Sequence, residues 1–521
     1  MLRGILTVGG WTMASRVMGF VRDIMIAALA GTGPVADAFF IALRVPNLFR
    51  RLFGEGAFNA AFVPEFSGIL ATDGPEPAKA FAEQAIAVLA FWLVVLTIAG
   101  EVFMPQLMRL LAPGFMAVPG KAELTVALAR ITFPYVLLIC LAALLSGVLN
   151  GLDRFAAAAA APLLFNTVSI AAMLLLTPLV PTVGHSLAWG VTISGVLQLA
   201  LLAWAVRRAG MALHIPRPRL TPQMRTLLSR MAPGLLGAGV TQLKLAVDVI
   251  IVSLLPPGSA SLLYYADRVN QLPLGVIGTA VGTALLPLLS RQARAGDRRA
   301  AIDTLNRALE VSLVLTLPAA LALAVAGGPI MLVLFGRGAF DAEAAELASQ
   351  ALAAYAFGLP AFVVLKVLVP AFFAHGDTST PVKVGFAAIA LNLALNLAFM
   401  VPLRHMGPAL ATSVSAIFNV IMLGILLTRR GQMVNDRRLR RRLGRMAIAA
   451  FAMAVVLVLA EQGLFIRVET RAVLRWAGLG VLVGLGLAAY AVAGQLLHAF
   501  DLRELIGIMR RRRSSSGGRQ R

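Results

Sequence analysis

Runs of about 20 apolar residues recur from Ile5 to Leu497, each long enough to cross the hydrocarbon core of a bilayer as one helix. No other feature of the sequence narrows the fold so far. Only 13% of the residues are charged and 59% are hydrophobic, which excludes a soluble globular protein and a disordered one. Dividing 521 residues by about 37 per span and connector gives about 14 helices. The fold class expected is therefore an all-α polytopic membrane protein.

The runs place helices near 3–30, 35–68, 78–111, 121–150, 155–178, 185–208, 223–255, 259–290, 299–326, 342–373, 380–402, 407–429, 440–463 and 470–497. Breaks fall at Gly/Pro clusters at 31–34, 113, 178–181, 256–258 and 327–329. Lys and Arg number 46 against 24 Asp and Glu, a formal charge of +22. Most of that excess sits on alternate connectors: Arg207, Arg208, Arg217, Arg219 and Arg225, then Arg291, Arg294, Arg298 and Arg299, then Arg429, Arg430 and the run from Arg437 to Arg445. The positive-inside rule makes these connectors and both termini cytoplasmic, which requires an even number of spans. About 14 meets that condition, and 12 or 13 plus a re-entrant segment is the alternative. The tail, with Arg510 to Arg513, reads as a basic segment meeting anionic membrane lipid rather than nucleic acid. Polar and charged residues interrupt the first run, so a cleaved signal peptide is not expected. The lone cysteine, Cys140, lies in an apolar run and offers neither a disulfide nor a metal cluster.

Comparing the chain with itself reveals a repeat. Phe40-Ile-Ala-Leu-Arg44-Val45, leading to Ala61-Phe-Val-Pro64, corresponds to Tyr265-Ala-Asp-Arg268-Val269, leading to Leu285-Leu-Pro287. The same offset, 220 to 226 residues, aligns Pro134 with Pro360 and Gly151 with Gly376. The expected organisation is a six-helix half over 1–220, a second over 221–431, two extra helices over 432–499 and a basic cytoplasmic tail over 500–521. Halves of equal orientation are related by an axis along the membrane normal, and transporters of that kind hold substrate in a central cavity.

Ionisable residues inside membrane helices are costly, which makes them site candidates. On the first helix Ser15 and Arg22, and likewise Arg16 and Asp23, are seven apart and share a face, with Gly19 between. The second helix carries Asp37, Arg44, Arg51 and Glu55 as one stripe with Asn47 beside it. Arg50 lies about 100° from Arg51, so periodicity leaves open which of the two enters a cavity. The eighth helix supplies Asp267 and Arg268, and the seventh Lys244 and Asp248. Buried ion pairs that fix helix register would also account for Asp267 with Arg268, or Arg51 with Glu55. Taken together, arginines in excess of acids on three helices call for an anionic partner, and the guanidinium suits phosphate. A second group, Asp248, Asn392, Asn396 and Thr412, offers hard oxygen ligands for an alkali cation, with interhelical hydrogen bonding as the other reading. The five histidines lie at connectors or helix ends, and no P-loop, dinucleotide fingerprint or nucleophile elbow occurs, so enzymatic work is not expected.

Ser15-Arg-Val-Met-Gly-Phe-Val-Arg-Asp23, Pro46-Asn-Leu-Phe-Arg-Arg-Leu-Phe-Gly-Glu-Gly-Ala-Phe58, Ile131-Thr-Phe-Pro-Tyr135 and Tyr264-Tyr-Ala-Asp-Arg268 closely resemble the MurJ (MviN) lipid II flippase family. That family belongs to the multidrug/oligosaccharidyl-lipid/polysaccharide exporter superfamily, and the resemblance spans essentially the whole chain. It implies a 14-helix flippase of the bacterial inner membrane that moves undecaprenyl-pyrophosphate disaccharide pentapeptide (lipid II) to the periplasmic leaflet for peptidoglycan synthesis. The resemblance places Arg16, Arg22, Arg50 and Arg268 in the cavity, favouring Arg50 over Arg51. Asp37 and Asp23 follow as acidic partners, with Ser15 and Ser261 nearby. It further implies a sodium site at Asp248, Asn392, Asn396 and Thr412, a groove for the polyprenyl tail on the last two helices, and contacts with the cell-wall synthesis machinery. A cation-coupled multidrug or polysaccharide-lipid exporter of the same fold is the rival, and an exporter of cationic drugs would carry excess acid in its cavity, whereas here the excess is basic.

Overall fold

The computed structural model describes residues 2–51, 57–434, 436–465 and 472–500, and the regular structure among them is entirely helical. The chain forms two compact units, Met1–Ser261 with Arg337–Phe340, and Leu262–Gly336 with Asp341–Arg521. The first unit contains α1 (Leu2–Ala30), α2 (Pro34–Phe49), α3 (Ala57–Thr72), α4 (Pro75–Val102), α5 (Met104–Leu111) and α6 (Pro113–Met116). It continues with α7 (Lys121–Thr132), α8 (Tyr135–Gly151), α9 (Phe155–Leu176), α10 (Val183–Arg208) and α11 (Pro222–Ser253). Helix α12 (Ser259–Arg294) starts there and runs into the second unit. The second unit adds α13 (Arg298–Val325), α14 (Gly327–Phe335), α15 (Ala342–Ala374), α16 (Ser379–Phe399), α17 (Met406–Arg429), α18 (Arg437–Ala460) and α19 (Ala472–Leu496).

Ten helical stretches among the described residues are long and apolar enough to cross a membrane. The long helices outside those ten include α1, α11 and α12, and the shorter α2 joins them. These four carry the intramembrane charges singled out in the sequence: Arg16, Arg22 and Asp23; Asp37 and Arg44; Lys244 and Asp248; Asp267 and Arg268. With them the architecture is consistent with about 14 spans. Prolines account for departures from the expected boundaries. The helix expected over 121–150 breaks at Pro134 into α7 and α8, and that expected over 78–111 ends at Val102, with α5 restarting at Met104-Pro105. The helix expected over 35–68 appears as α2 and α3, with 52–56 outside the described residues.

Two prolines inside helices remove an N–H from the ladder, and at one of them another helix supplies the missing donor. Pro46 in α2 leaves the Ala42 carbonyl without its helical donor, and the Thr132 hydroxyl of α7 lies 3.5 Å from that oxygen but nearer, at 3.1 Å, to the Ala129 carbonyl of its own helix. Pro318 in α13 likewise leaves the Val314 carbonyl without its helical donor, and that carbonyl accepts from the Tyr490 hydroxyl of α19 at 2.9 Å. Helices α13 and α19 are thereby tied together.

In the first unit α1 packs on α9, and α9 on α10, which also packs on α8. Phe62, Phe66 and Phe81 form a buried aromatic stack, in one core with Val148 and Leu149 of α8 and with Leu227 and Met231 of α11. The turn after α1 requires glycine. Gly31 has φ +60°, and a Cβ there would lie 2.4 Å from the Ala339 carbonyl, while the Ala339 N–H donates to the Ala28 carbonyl at 2.8 Å. In the second unit α15 is the central helix, packed against α13, α14 and α17, while α18 packs on α13 and α19.

Candidate functional site

Small residues on α1 open the space for the first cluster. A Cβ on Gly19 would stand 3.2 Å from Nδ2 of Asn166 on α9. Glycine there lets the Asn166 amide lie against α1, where Nδ2 donates to the Ser15 carbonyl at 2.9 Å and approaches Ser15 Oγ at 3.3 Å. The amide oxygen accepts from Arg22 Nη1 at 3.0 Å. Arg22 also donates to Asp23 Oδ1 from Nη2 at 2.7 Å and from Nε at 3.2 Å, and its guanidinium lies 5.4 Å from the Phe165 ring centre. Arg22 and Asp23 are both buried, whereas Arg16 is exposed. The structure therefore brings Ser15, Arg22 and Asp23 together through Asn166. The sequence reading missed that residue, and its one signal was an amide in an otherwise apolar run.

Asp37 belongs to a second cluster. Its carboxylate, 1% exposed, accepts from Lys121 Nζ at 2.9 Å, from the Gly258 N–H at 2.7 Å, and from the N–H and hydroxyl of Ser261 at 3.0 and 2.9 Å. It thus serves the donors that the first turn of α12 leaves without helical partners. Lys121 is 4% exposed and stands 3.7 Å from the Phe115 ring centre. Asp37 and Ser261 meet in this structure, and the cation at Asp37 is Lys121 rather than an arginine. Lys121 lies at the start of an apolar helix and carried no periodic signal.

Farther along α2, Arg44 is half-buried, Arg50 is half-buried with Nε donating to Asn47 Oδ1 at 3.2 Å, and Arg51 is exposed. Glu55 lies outside the described residues. On α11, Lys244 and Asp248 are half-buried one helical turn apart.

In the second unit, Arg268 on α12 donates from Nη2 to the Tyr264 hydroxyl at 2.9 Å, and Asp267 accepts from Gln271. Lys366 of α15 is a further cation inside a span. It reaches α12 at Gly278, where a Cβ would sit 2.8 Å from Nζ. A lone lysine in an apolar run gave no pattern to find it by. Asn392 and Asn396 share a face as their spacing required. Asn396 Nδ2 donates to Asn392 Oδ1 at 3.1 Å, Asn392 Nδ2 approaches Ser415 Oγ at 3.4 Å, and Asn396 Oδ1 is buried without a hydrogen-bond partner. Thr412 is half-buried one turn before Ser415, whose hydroxyl donates to the Thr412 carbonyl at 2.9 Å.

An apolar cavity of about 460 Å³ opens between α13 and the last two helices, lined by Leu315, Pro318, Leu457, Leu482, Gly486 and Tyr490 among others. Midway along α13, buried Glu310 receives Arg307, Arg438 and Arg442, which fastens the start of α18 to α13. Outside the spans, the Asp377 carboxyl is held well below the usual carboxylate range by the Thr380 hydroxyl, then the Thr380 N–H, then Arg430. The Arg438 N–H and, to a lesser degree, Arg307 lower Asp436.

The profile of the family described as "Lipid II flippase MurJ" matches residues 26–466. A protein of Rhizobium tropici named "Probable lipid II flippase MurJ" is 41% identical over 519 residues, covering 98% of this chain and 96% of that one. A like-named protein of Rhizobium meliloti (strain 1021) is 43% identical, covering 94% and 92%. Among solved structures, a lipid II flippase MurJ in an inward closed conformation superposes with a TM-score of 0.79 at 25% identity, covering 96% of this chain and all of that one. An inward-facing MATE family multidrug transporter superposes with a TM-score of 0.64 at 13% identity, a likeness of fold alone.

Proposed function

The chain belongs to the lipid II flippase MurJ family, and on that footing we propose that it moves undecaprenyl-pyrophosphate disaccharide pentapeptide from the cytoplasmic to the periplasmic leaflet by alternating access. It is a multi-pass membrane protein of a transporter family, and we read it as working without catalytic residues. Both termini are assigned to the cytoplasm on the alternation of basic connectors. An uncompensated pyrophosphate would face a prohibitive barrier in hydrocarbon. Arg16, Arg22, Arg50 and Arg268 lower that barrier by replacing water with charge-assisted hydrogen bonds. The apolar cavity beside α18 and α19 supplies a surface for the polyprenyl tail while the headgroup moves.

Arg22 carries the assignment. A buried guanidinium inside a span, fixed by Asn166 and Asp23, is an expensive feature that a register-fixing pair on adjacent residues of one helix does not require. Sodium is proposed as the coupling ion. Asp248, Asn392, Asn396 and Thr412 present hard oxygen donors, and the open Asn396 Oδ1 is the observation that supports it. Residual substrate charge would also couple the cycle to the membrane potential at about 2.3 kcal/mol per charge per 100 mV. The test is depletion of the protein with replacement by Arg22→Ala or Arg268→Ala, followed by measurement of lipid II exposed on the outer leaflet. Exposure should fall at unchanged protein level. Normal exposure would overturn the site assignment.

A further inference from the structure

A second cavity, of about 580 Å³, lies in the first unit away from the residues assigned to lipid II. Its walls are the turn between α8 and α9 (Asp153 and Arg154), the first residues of α9, the last turn of α10 (Trp204 and Arg208), and Thr7 of α1. Asp153 adopts φ +58°, so the chain reverses sharply there and presents Asp153 and Arg154 at the cavity. Helix α9 begins without a side-chain cap, which leaves the N–H groups of its first turn directed at the same space. Arg154 and Arg208 are exposed, and no carboxylate forms an ion pair with either among the described residues. The Arg208 guanidinium lies 5.2 Å from the Trp204 ring centre.

We propose that this cavity is a binding site for the headgroup of a resident anionic phospholipid, of the phosphatidylglycerol type, distinct from the transported substrate. Arg154, Arg208 and the open end of α9 would hold the phosphodiester, and Asp153 would accept a hydrogen bond from a headgroup hydroxyl. Two cations and one acid leave one net positive charge, which matches a single phosphodiester. The apolar part of the wall, Leu149, Ala156, Ala157, Ala205 and Ala209, favours a lipid over a free phosphate. Trp204, 55% exposed, is an aromatic residue of the kind expected where a helix leaves the bilayer for the headgroup layer. The site joins the ends of α1, α8, α9 and α10, so its occupant would brace the helices around Arg22 without touching Arg22.

The full-length protein in nanodiscs, carrying mixed phosphatidylglycerol and phosphatidylcholine, tests this by counting the lipids retained on the purified protein. The wild type should retain phosphatidylglycerol over phosphatidylcholine about tenfold, and Arg154→Ala/Arg208→Ala should abolish most of that preference. Arg109→Ala, a basic residue remote from the cavity, should leave it unchanged. Asp153→Asn keeps the turn geometry and serves as a second variant if the double substitution fails to fold. Because it removes the one negative charge and keeps an acceptor for the headgroup hydroxyl, it should strengthen retention of phosphatidylglycerol and leave phosphatidylcholine unaffected; weakened or unchanged retention would count against the charge match. Equal retention of both lipids by the wild type, an unchanged preference in the double variant, or displacement of the lipid by millimolar inorganic phosphate would overturn the proposal. Lipid retention is read without lipid II, so it fails or succeeds independently of the flippase assignment.

Discussion

Replacing Lys121 by Met isolates the buried ion pair at Asp37. Methionine keeps the length and apolar stem of the lysine beside Phe115 but removes the positive charge 2.9 Å from a carboxylate that is 1% exposed. Breaking a buried pair costs about 3–5 kcal/mol, because the surviving charge is left uncompensated. Asp37 retains three donors, Gly258 N–H and the N–H and hydroxyl of Ser261, which places the expected loss near the lower end, about 3 kcal/mol. Ser261→Ala removes only one of the four donors and should cost about 1–2 kcal/mol. In Asp37→Asn/Lys121→Met both charges are gone, so the double variant should lose less than the sum of the singles, with a coupling of about 2 kcal/mol. Reversible unfolding in mixed micelles titrated with dodecyl sulfate, followed by tryptophan fluorescence, measures all of these proteins. A Lys121→Met variant within about 0.5 kcal/mol of wild type, or strictly additive effects, would refute the claim that the pair holds the start of α12 to α2.

Tyr490→Phe removes the donor to the Val314 carbonyl that Pro318 leaves orphaned, and should destabilise by about 1–3 kcal/mol in the same assay. Adding Pro318→Ala restores a backbone N–H and should recover part of that loss. Leu482→Trp fills the apolar cavity of about 460 Å³ and should lower lipid II affinity, measured with purified protein, while affinity for a short-chain analogue changes little. At Asp377 the folded-state pKa is depressed, so its stabilisation is present above the ordinary carboxylate value and lost only as pH falls through the lower folded value. The thermal midpoint gap between wild type and Asp377→Asn should hold from about pH 8 to about pH 5, and a gap that closes within that range would contradict the cause assigned. Asn166→Asp and Asn47→Asp should reduce outer-leaflet lipid II more than the corresponding alanine variants do, a ranking that the depletion and replacement assay reads directly.

Much of the architecture follows from the sequence because a bilayer permits few choices. Apolar runs of fixed length become helices, and the ends of α10 and α17 fall where Arg207, Arg208 and Arg429 cluster. What the runs do not contain is the response to proline. That Tyr490 serves Val314 depends on a helix 176 residues away. The site divides similarly. Arg22, Asp23 and Ser15 share a face by spacing alone, but Asn166 and Lys121 join their clusters across 144 and 84 residues, and neither has a periodic partner on its own helix.

The contacts of three arginines include neutral acceptors, which set the direction of a guanidinium. Arg50 donates to Asn47, Arg268 to Tyr264, and Arg22 to Asn166 as well as to Asp23. A neutral acceptor fixes the direction of a guanidinium without cancelling its charge, whereas a carboxylate does both. Asp37, the acid on α2, is taken by Lys121 and the start of α12, so its charge is spent there rather than on Arg44 or Arg50 of the same stretch of chain. An amide also holds a guanidinium less tightly than a carboxylate does, so a pyrophosphate can displace it at modest cost and release it again. Converting either amide to an acid keeps the geometry and removes the charge. The aspartate variants should therefore be worse than the truncations, whereas support that was merely steric would give the opposite order.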